Sequence, residues 1–194
     1  GMCVSMSDPG MVVLPTHRLF RGLPHLSSAQ LVEKLGDCFQ TGVAGQGPDA
    51  AHDVWETIEM EGEQGIIGFY TQADQQWILA RITAAGRQRM AEVATDHGRD
   101  WQQLGVSILH RLVIETLLGA KQLPKAEYVH LVEEAVDWLH RGDTPGQPFP
   151  LCALVMPATV EHVRKISESQ ERMPAKSTYF YPKLLSGLVI NPLE

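Results

Sequence analysis

Two β-prone runs joined by a short polar connector constrain this chain more than any other feature of its sequence. The runs are residues 65–71 and 76–82, and residues 72–75 separate them. Runs rich in isoleucine and aromatic residues with a connector of this length are typical of an antiparallel β-hairpin. We therefore predict a β-sheet, and the rest of the sequence indicates what packs against it.

Two helices are predicted before the hairpin. Ser27 and Gln30 form a capping-box pattern that begins a helix extending to about residue 40. A second helix is predicted over residues 49–60. Residues 42–48 between them are rich in glycine and lack a phosphate-loop lysine, so we predict a flexible loop there and no nucleotide cradle.

Residues 101–118 predict the longest helix of the chain, with a broad apolar face that should lie in the core. Arg111 and Glu115 stand four residues apart on it, which is the spacing of an ordinary helical ion pair. We favour that interpretation over a catalytic couple of His110 with Glu115, because five residues place those two side chains on diverging sides of a helix.

Strands and helices alternate after residue 125. The predicted elements are strand 126–130, helix 132–140, strand 149–156, helix 159–169 and strand 184–190. This order favours right-handed crossovers and a partly parallel sheet. The sequence thus predicts the α+β class, with a mixed β-sheet, a β-hairpin, packed helices and a C-terminal βαβαβ-like segment. Its 194 residues fit a single α+β domain, with possible sub-lobes 1–120 and 121–194.

Composition excludes several classes of function. The formal charge of −7 is opposite in sign to that of a general nucleic-acid binder, so we expect no nucleic-acid partner. No apolar run approaches the length of a membrane span, and residues 3–7 are too polar for a signal peptide, so we expect a cytoplasmic protein. The three cysteines show neither disulfide nor metal-ligand spacing. We predict no metal and no cofactor, and no standard catalytic motif identifies catalytic residues.

A cationic segment, residues 172–183, is the most unusual stretch of the chain. It combines three cations, two hydroxyls, three aromatic rings and two prolines in twelve residues, and it fits neither a helical nor a strand period. The prolines predict a stiff extended loop. Arginine, lysine and hydroxyl groups together are typical of sites that bind phosphate or carboxylate.

We hypothesise an anion-binding concavity formed by this segment and by the exit of a predicted strand, residues 11–15. The candidate ligand-binding residues are His17, Arg18, Arg172, Lys176, Ser177, Thr178, Tyr179, Tyr181 and Lys183. Strand alternation opposes the hypothesis, because it places Lys176 and Lys183 on opposite sides unless the chain bends at Pro182. The alternative is that the segment is a structural strap.

Three stretches of the sequence resemble one family. Residues 171–190 (ERMPAKSTYFYPKLLSGLVI) resemble the C-terminal signature of the family known as domain of unknown function 1015. Residues 8–19 (DPGMVVLPTHRL) resemble its mid-chain strand, and residues 106–115 (VSILHRLVIE) resemble its central helix. Members of that family are longer on the N-terminal side, where a Gly-His-His-Arg segment is similar to ParB and sulfiredoxin-like nucleotide-binding domains. The present sequence contains no such segment.

The resemblance implies that this chain is the C-terminal portion of a longer family protein. One expectation is a ligand-binding lobe for an anion, a phosphate or a nucleotide that is not catalytic alone. The other is a non-catalytic domain that docks a missing N-terminal half, a partner protein or a second copy, with an exposed apolar patch near residues 2–15. Whether the protein is an enzyme stays open, but we expect this chain alone to turn over no nucleotide.

Overall fold

The computed structural model describes Ser5, Asp8, residues 10–142 and residues 148–183. Its strands are β1 Val12–Leu14, β2 His17–Phe20, β3 Phe39–Gln46, β4 Ile66–Thr71, β5 Gln76–Ile82, β6 Glu127–Val129, β7 Leu151–Val155 and β8 Tyr179–Tyr181. Its α-helices are α1 Ser28–Leu35, α2 Ala51–Glu61, α3 Ala84–Val93, α4 Arg99–Gln102, α5 Gly105–Ser107, α6 Val132–Arg141 and α7 Val160–Glu168. Short 3₁₀ turns occupy Gly36–Cys38 and Pro48–Ala50, and a π-helix occupies Ile108–Leu117.

Six strands form one sheet in the order β3-β5-β4-β7-β2-β6, and β1 pairs with β8 in a separate two-stranded sheet. The predicted hairpin is confirmed, since β4 and β5 pair antiparallel from Ile66 opposite Arg81 to Thr71 opposite Gln76. Together with the helices, these sheets confirm the α+β class. No helix in the described part of the chain is long and apolar enough to cross a bilayer.

The prediction of parallel strand pairs was wrong for the strands that the structure describes. β2 pairs antiparallel with β6 on one side and with β7 on the other. β6 and β7 therefore run in the same direction, as a strand-helix-strand unit requires, but β2 lies between them. A strand from the start of the chain thus replaces a parallel β6–β7 pair with two antiparallel pairs. The predicted final strand, residues 184–190, lies outside the described residues.

Helices cover both faces of the six-stranded sheet. On one face α1, α3, α7 and the π-helix pack against side chains such as Phe20, Ile67 and Phe69. On the other face α2 and α6 pack against side chains such as Leu19 and Trp77. Each fully buried aliphatic or aromatic side chain contributes ~1.5–3 kcal/mol, so the two cores hold the sheet from both sides.

The region between α1 and α2 corrects one prediction. The capping box of Ser27 with Gln30 is present, but α1 ends at Leu35, and Gly36 has a φ of +52°. The predicted loop is instead mostly strand β3, which pairs with β5 at the edge of the sheet and carries a bulge between Val43 and Gly45. An edge strand that is largely exposed needs no continuous apolar run, so its sequence resembles that of a loop.

The predicted helix over residues 101–118 is buried as expected but is not continuous. It divides into α4, α5 and the π-helix, because Leu104 is extended and Gly105 packs against Gln64. A Cβ on Gly105 would lie 2.8 Å from the Gln64 carbonyl oxygen, and the Gly105 amide donates to the Gln64 side chain over 2.9 Å. The Arg111–Glu115 ion pair is confirmed at 3.4 Å.

Strand β8 fixes the cationic segment in place. It pairs with β1, with Tyr179 opposite Leu14 and Tyr181 opposite Val12. Only Pro15 and Thr16 separate β1 from β2. The β1–β8 pair therefore brings residues 176–181 beside the start of β2, which is where the candidate site is built.

Candidate functional site

The side chain of Arg18 is fully buried at the centre of this site. Its Nε–H donates to Nε2 of His110 over 2.9 Å, and Nη2 donates to the backbone carbonyl of Lys176 over 2.8 Å. Nη1 donates to the carbonyl of Thr16. Burial lowers the pKa of Arg18 to about 10, so the guanidinium keeps its charge at neutral pH.

Within the described residues, every group that accepts a hydrogen bond from the Arg18 guanidinium is neutral. Two are backbone carbonyls and the third is an imidazole nitrogen, and no carboxylate in the described ranges forms an ion pair with it. Arg21, three residues further along the chain, pairs instead with Glu127 at 3.3 Å. A buried charge is normally paired because desolvation is costly. Among the residues that the structure describes, the Arg18 charge therefore has no carboxylate partner.

His110 is held as a neutral acceptor for Arg18. Burial first, and then the charge of Arg18, lower the pKa of His110 from 6.5 to about 4. Its Nε2 lone pair accepts the hydrogen bond from the Nε–H of Arg18, so this tautomer carries its own proton on Nδ1. His110 lies on the π-helix, and its ring packs edge-on against Phe20 at 5.8 Å. The imidazole thus orients the guanidinium and is not a free base.

The ring of Tyr128 lies close to two cations, Arg18 and Lys176. Tyr128 is the cross-strand partner of Arg18. Its ring centroid lies 5.7 Å from the Arg18 Cζ and 6.0 Å from the Lys176 Nζ. Both distances are within the range of a cation–π contact.

A cavity of about 200 Å³, which we call the Tyr128 cavity, is lined by Tyr128 and His110, the two rings that contact Arg18; Arg18 and Lys176 themselves do not line it. Its polar lining comes from residues that the sequence analysis missed as site residues: His110, Glu115, Lys121, Lys125 and Tyr128. Glu115 is already paired with Arg111. Lys121 and Lys125 lie in the connection before β6, and a pair of lysines in a short linker is too common a pattern to have indicated a site.

Only some residues of the cationic segment lie at this site. Lys176 has a φ of +56°, and Ser177 is buried with an Oγ that has no partner within the described residues. Tyr179 packs on His130 at 3.7 Å between ring centroids, and the Lys183 amine lies 4.4 Å from the Tyr179 ring centroid. Within the described residues, three candidate side chains make no hydrogen bond, ion pair or ring contact with this arrangement: Arg172, Thr178 and Tyr181.

His17 lies on the opposite face of the sheet from Arg18, because neighbouring residues of a strand alternate. Its ring contacts Trp55 of α2 at 4.7 Å, and its Nδ1 accepts the amide proton of Val155 over 3.3 Å. Burial, followed by the charges of Arg18 and His130, lowers its pKa to about 3. His17 is therefore a structural residue and does not join the arrangement around Tyr128.

Metal and thiol chemistry receive no support from the described ranges. No group of three His, Cys, Asp or Glu side chains there is arranged to hold a metal ion. Cys38 and Cys152 are buried and free, and burial raises the pKa of both thiols.

Near residues 2–15, where a docking patch was expected, the described side chain of Val12 is 48% exposed.

Comparison with known proteins gives a family and a distant structural likeness. The model of the family described as "Protein of unknown function (DUF1015)" matches residues 1–107, a range that does not include the C-terminal stretch 171–190. A solved structure of a conserved hypothetical protein from Pyrococcus furiosus aligns with a TM-score of 0.49 and 13% identity. The alignment covers 91% of this chain and 59% of that one, so the chain spans a little over half the length of that protein. No curated protein matches the chain. The family match extends over more than half of the sequence, and the chain therefore belongs to the DUF1015 family.

Proposed function

We propose that this chain is a lobe that binds a small phosphate-bearing ligand at the Tyr128 cavity and is not catalytic by itself. The observation that supports this most strongly is the buried guanidinium of Arg18, whose acceptors within the described ranges are all neutral. An anion in the adjoining cavity would supply the missing negative charge. Charge-assisted hydrogen bonds to such an anion are worth ~1.5–3 kcal/mol each.

The charge around the cavity supports an anionic ligand. Lys121 and Lys125 line it, and the amine of Lys176 lies on the ring of Tyr128. These cations are concentrated in a chain whose formal charge is −7, so they are a local feature. The Lys183–Tyr179 contact extends the positive surface along β8.

A binding role fits the chemistry of the cavity better than a catalytic one. The Nε2 lone pair of His110 is engaged by Arg18, and the carboxylate of Glu115 is engaged by Arg111. Neither group is therefore available as a general base in this arrangement. In this proposal, any chemical step belongs to another part of a longer family protein.

Replacing Lys176 with asparagine tests the site directly. Asparagine tolerates a positive φ, so Lys176→Asn should remove the charge and keep the backbone carbonyl that binds Arg18. In calorimetric titrations with inorganic phosphate and with ADP, we expect it to weaken binding about tenfold, as expected for losing one charge-assisted contact.

The matched control is Lys165→Gln, which removes an exposed lysine on α7 that faces Glu161. It should leave both affinities unchanged. Lys121→Gln should weaken binding in the same direction as Lys176→Asn, because Lys121 lines the cavity. Equal affinities in the original chain, Lys176→Asn and Lys121→Gln would refute binding at the Tyr128 cavity.

A further inference from the structure

A second cavity, which we call the α3 groove, lies between α3, α4, the end of β5 and the first residue of the π-helix. Its volume is about 360 Å³, within the range typical of small-molecule sites. It shares no lining residue with the Tyr128 cavity. The function proposed above makes no use of it.

The floor of the α3 groove is apolar and rigid. Met90 and Ile108 form its base and are almost completely buried in the core. Ile82 and Ala91 extend the apolar surface toward the opening. A hydrocarbon or aromatic body placed here would be removed from water, which stabilises binding by ~25 cal/mol per Å² of apolar area.

Two arginines, Arg87 and Arg99, line the same groove. Six of the ten arginines in the chain pair with a carboxylate: Arg21, Arg81, Arg89, Arg111, Arg141 and Arg164. Neither groove arginine has an ion pair or side-chain hydrogen bond with any residue in the described ranges. The remaining polar lining comes from three glutamines, Gln88, Gln102 and Gln103, so the groove has cations and amides but no carboxylate in its lining.

The backbone leaves room for the Arg87 guanidinium. A Cβ on Gly65 would lie 3.1 Å from Nη2 of Arg87 and 2.7 Å from Cγ2 of Ile82. The glycine thus lets the arginine lie close to the sheet at the side of the groove. Gln102 fixes the α3–α4 connection by donating to the carbonyls of Ala94 and His97, each over 2.8 Å.

We infer that the α3 groove binds a small amphiphilic carboxylate. Arg87 and Arg99 hold the carboxylate through charge-assisted hydrogen bonds, and the apolar body of the ligand lies on Met90 and Ile108. Two cations without an ion pair in the described ranges, beside an apolar floor, favour a ligand that carries an anionic head group and a hydrophobic chain or ring. A hydrophilic phosphate would leave the floor unused, which distinguishes this ligand from that of the Tyr128 cavity.

The test is a calorimetric titration of the chain with octanoate, with 1-octanol as the uncharged probe. We expect octanoate to bind and octanol to bind at least about tenfold more weakly. Arg87→Gln and Arg99→Gln should each raise the octanoate Kd about tenfold. Arg89→Gln is the matched control, since Arg89 lies on α3 but pairs with Glu92 on the surface, and it should leave the Kd unchanged.

A blocking variant separates binding in the groove from binding elsewhere. Ala91 is exposed and lines the groove, so Ala91→Trp should fill the opening and abolish octanoate binding while the chain stays folded by circular dichroism. Lys176→Asn should leave octanoate binding intact, whatever it does to phosphate. Failure of octanoate to bind, equal binding of octanol, or equal Kd values for the Arg87, Arg89 and Arg99 variants would each overturn the inference.

Discussion

Acidification from about pH 7 to about pH 4.5 should lower the free energy of unfolding by roughly 5 kcal/mol through two buried histidines alone. The folded chain lowers the pKa of His110 to about 4 and that of His17 to about 3, against an ordinary value of 6.5. Below that ordinary value the unfolded chain takes up two protons that the folded chain does not. Stability is therefore retained above about pH 6.5 and is lost progressively as the pH falls toward the folded pKa values.

Urea unfolding followed by circular dichroism at several pH values measures the slope of the free energy of unfolding against pH. His110→Gln and His17→Asn keep an acceptor atom for Arg18 and for the Val155 amide, respectively, but neither side chain titrates. Each should remove about half of the histidine-dependent slope. His52→Gln, at an exposed position on α2, is the control and should leave the slope as it is. A slope that neither buried variant reduces would contradict the burial of these two rings.

The same titration links stability to the candidate site. Protonated His110 can no longer accept the Nε–H of Arg18, and the two positive charges then repel each other. Protonation of His110 therefore costs this hydrogen bond. His110→Gln should keep an acceptor for Arg18 at every pH because its amide oxygen does not titrate.

Gly86→Ala should destabilise the chain by about 3 kcal/mol, although alanine is a better helix former than glycine by ~1 kcal/mol. The reason is the close approach of α3 to the 3₁₀ turn before β3. A Cβ on Gly86 would lie 2.2 Å from the carbonyl oxygen of Cys38 and 2.7 Å from Cγ1 of Ile82. The Cys38 carbonyl also accepts the amide proton of Thr83, so neither backbone segment can withdraw without losing that bond.

The measurement is the midpoint and slope of urea unfolding at neutral pH. Gly42→Ala is the matched control, because its Cβ would meet no atom within 4 Å. That variant should be neutral or more stable by up to ~1 kcal/mol, since alanine restricts the unfolded chain. If Gly86→Ala were as stable as Gly42→Ala, the close packing of α3 on the turn would be refuted.

Features that depend on a few neighbouring residues could be predicted from the sequence. The capping box at Ser27 and the β4–β5 hairpin are confirmed. The position of β3 could not be predicted, because an edge strand with exposed residues shows no apolar period. Arg18 and Lys176 of the candidate site were proposed from the sequence, but Lys121, Lys125 and Tyr128 had no local signal that set them apart.

Sequence alone determined the α+β class and the start of α1, because caps, turns and alternation act within about ten residues. Tertiary structure decided that β2 lies between β6 and β7, and that Arg18 meets His110 across 92 residues of chain. The physical reason is that strand order and the placement of a buried charge depend on which apolar faces cover each other. That choice is made by packing among distant segments, whose contacts no short window of sequence contains.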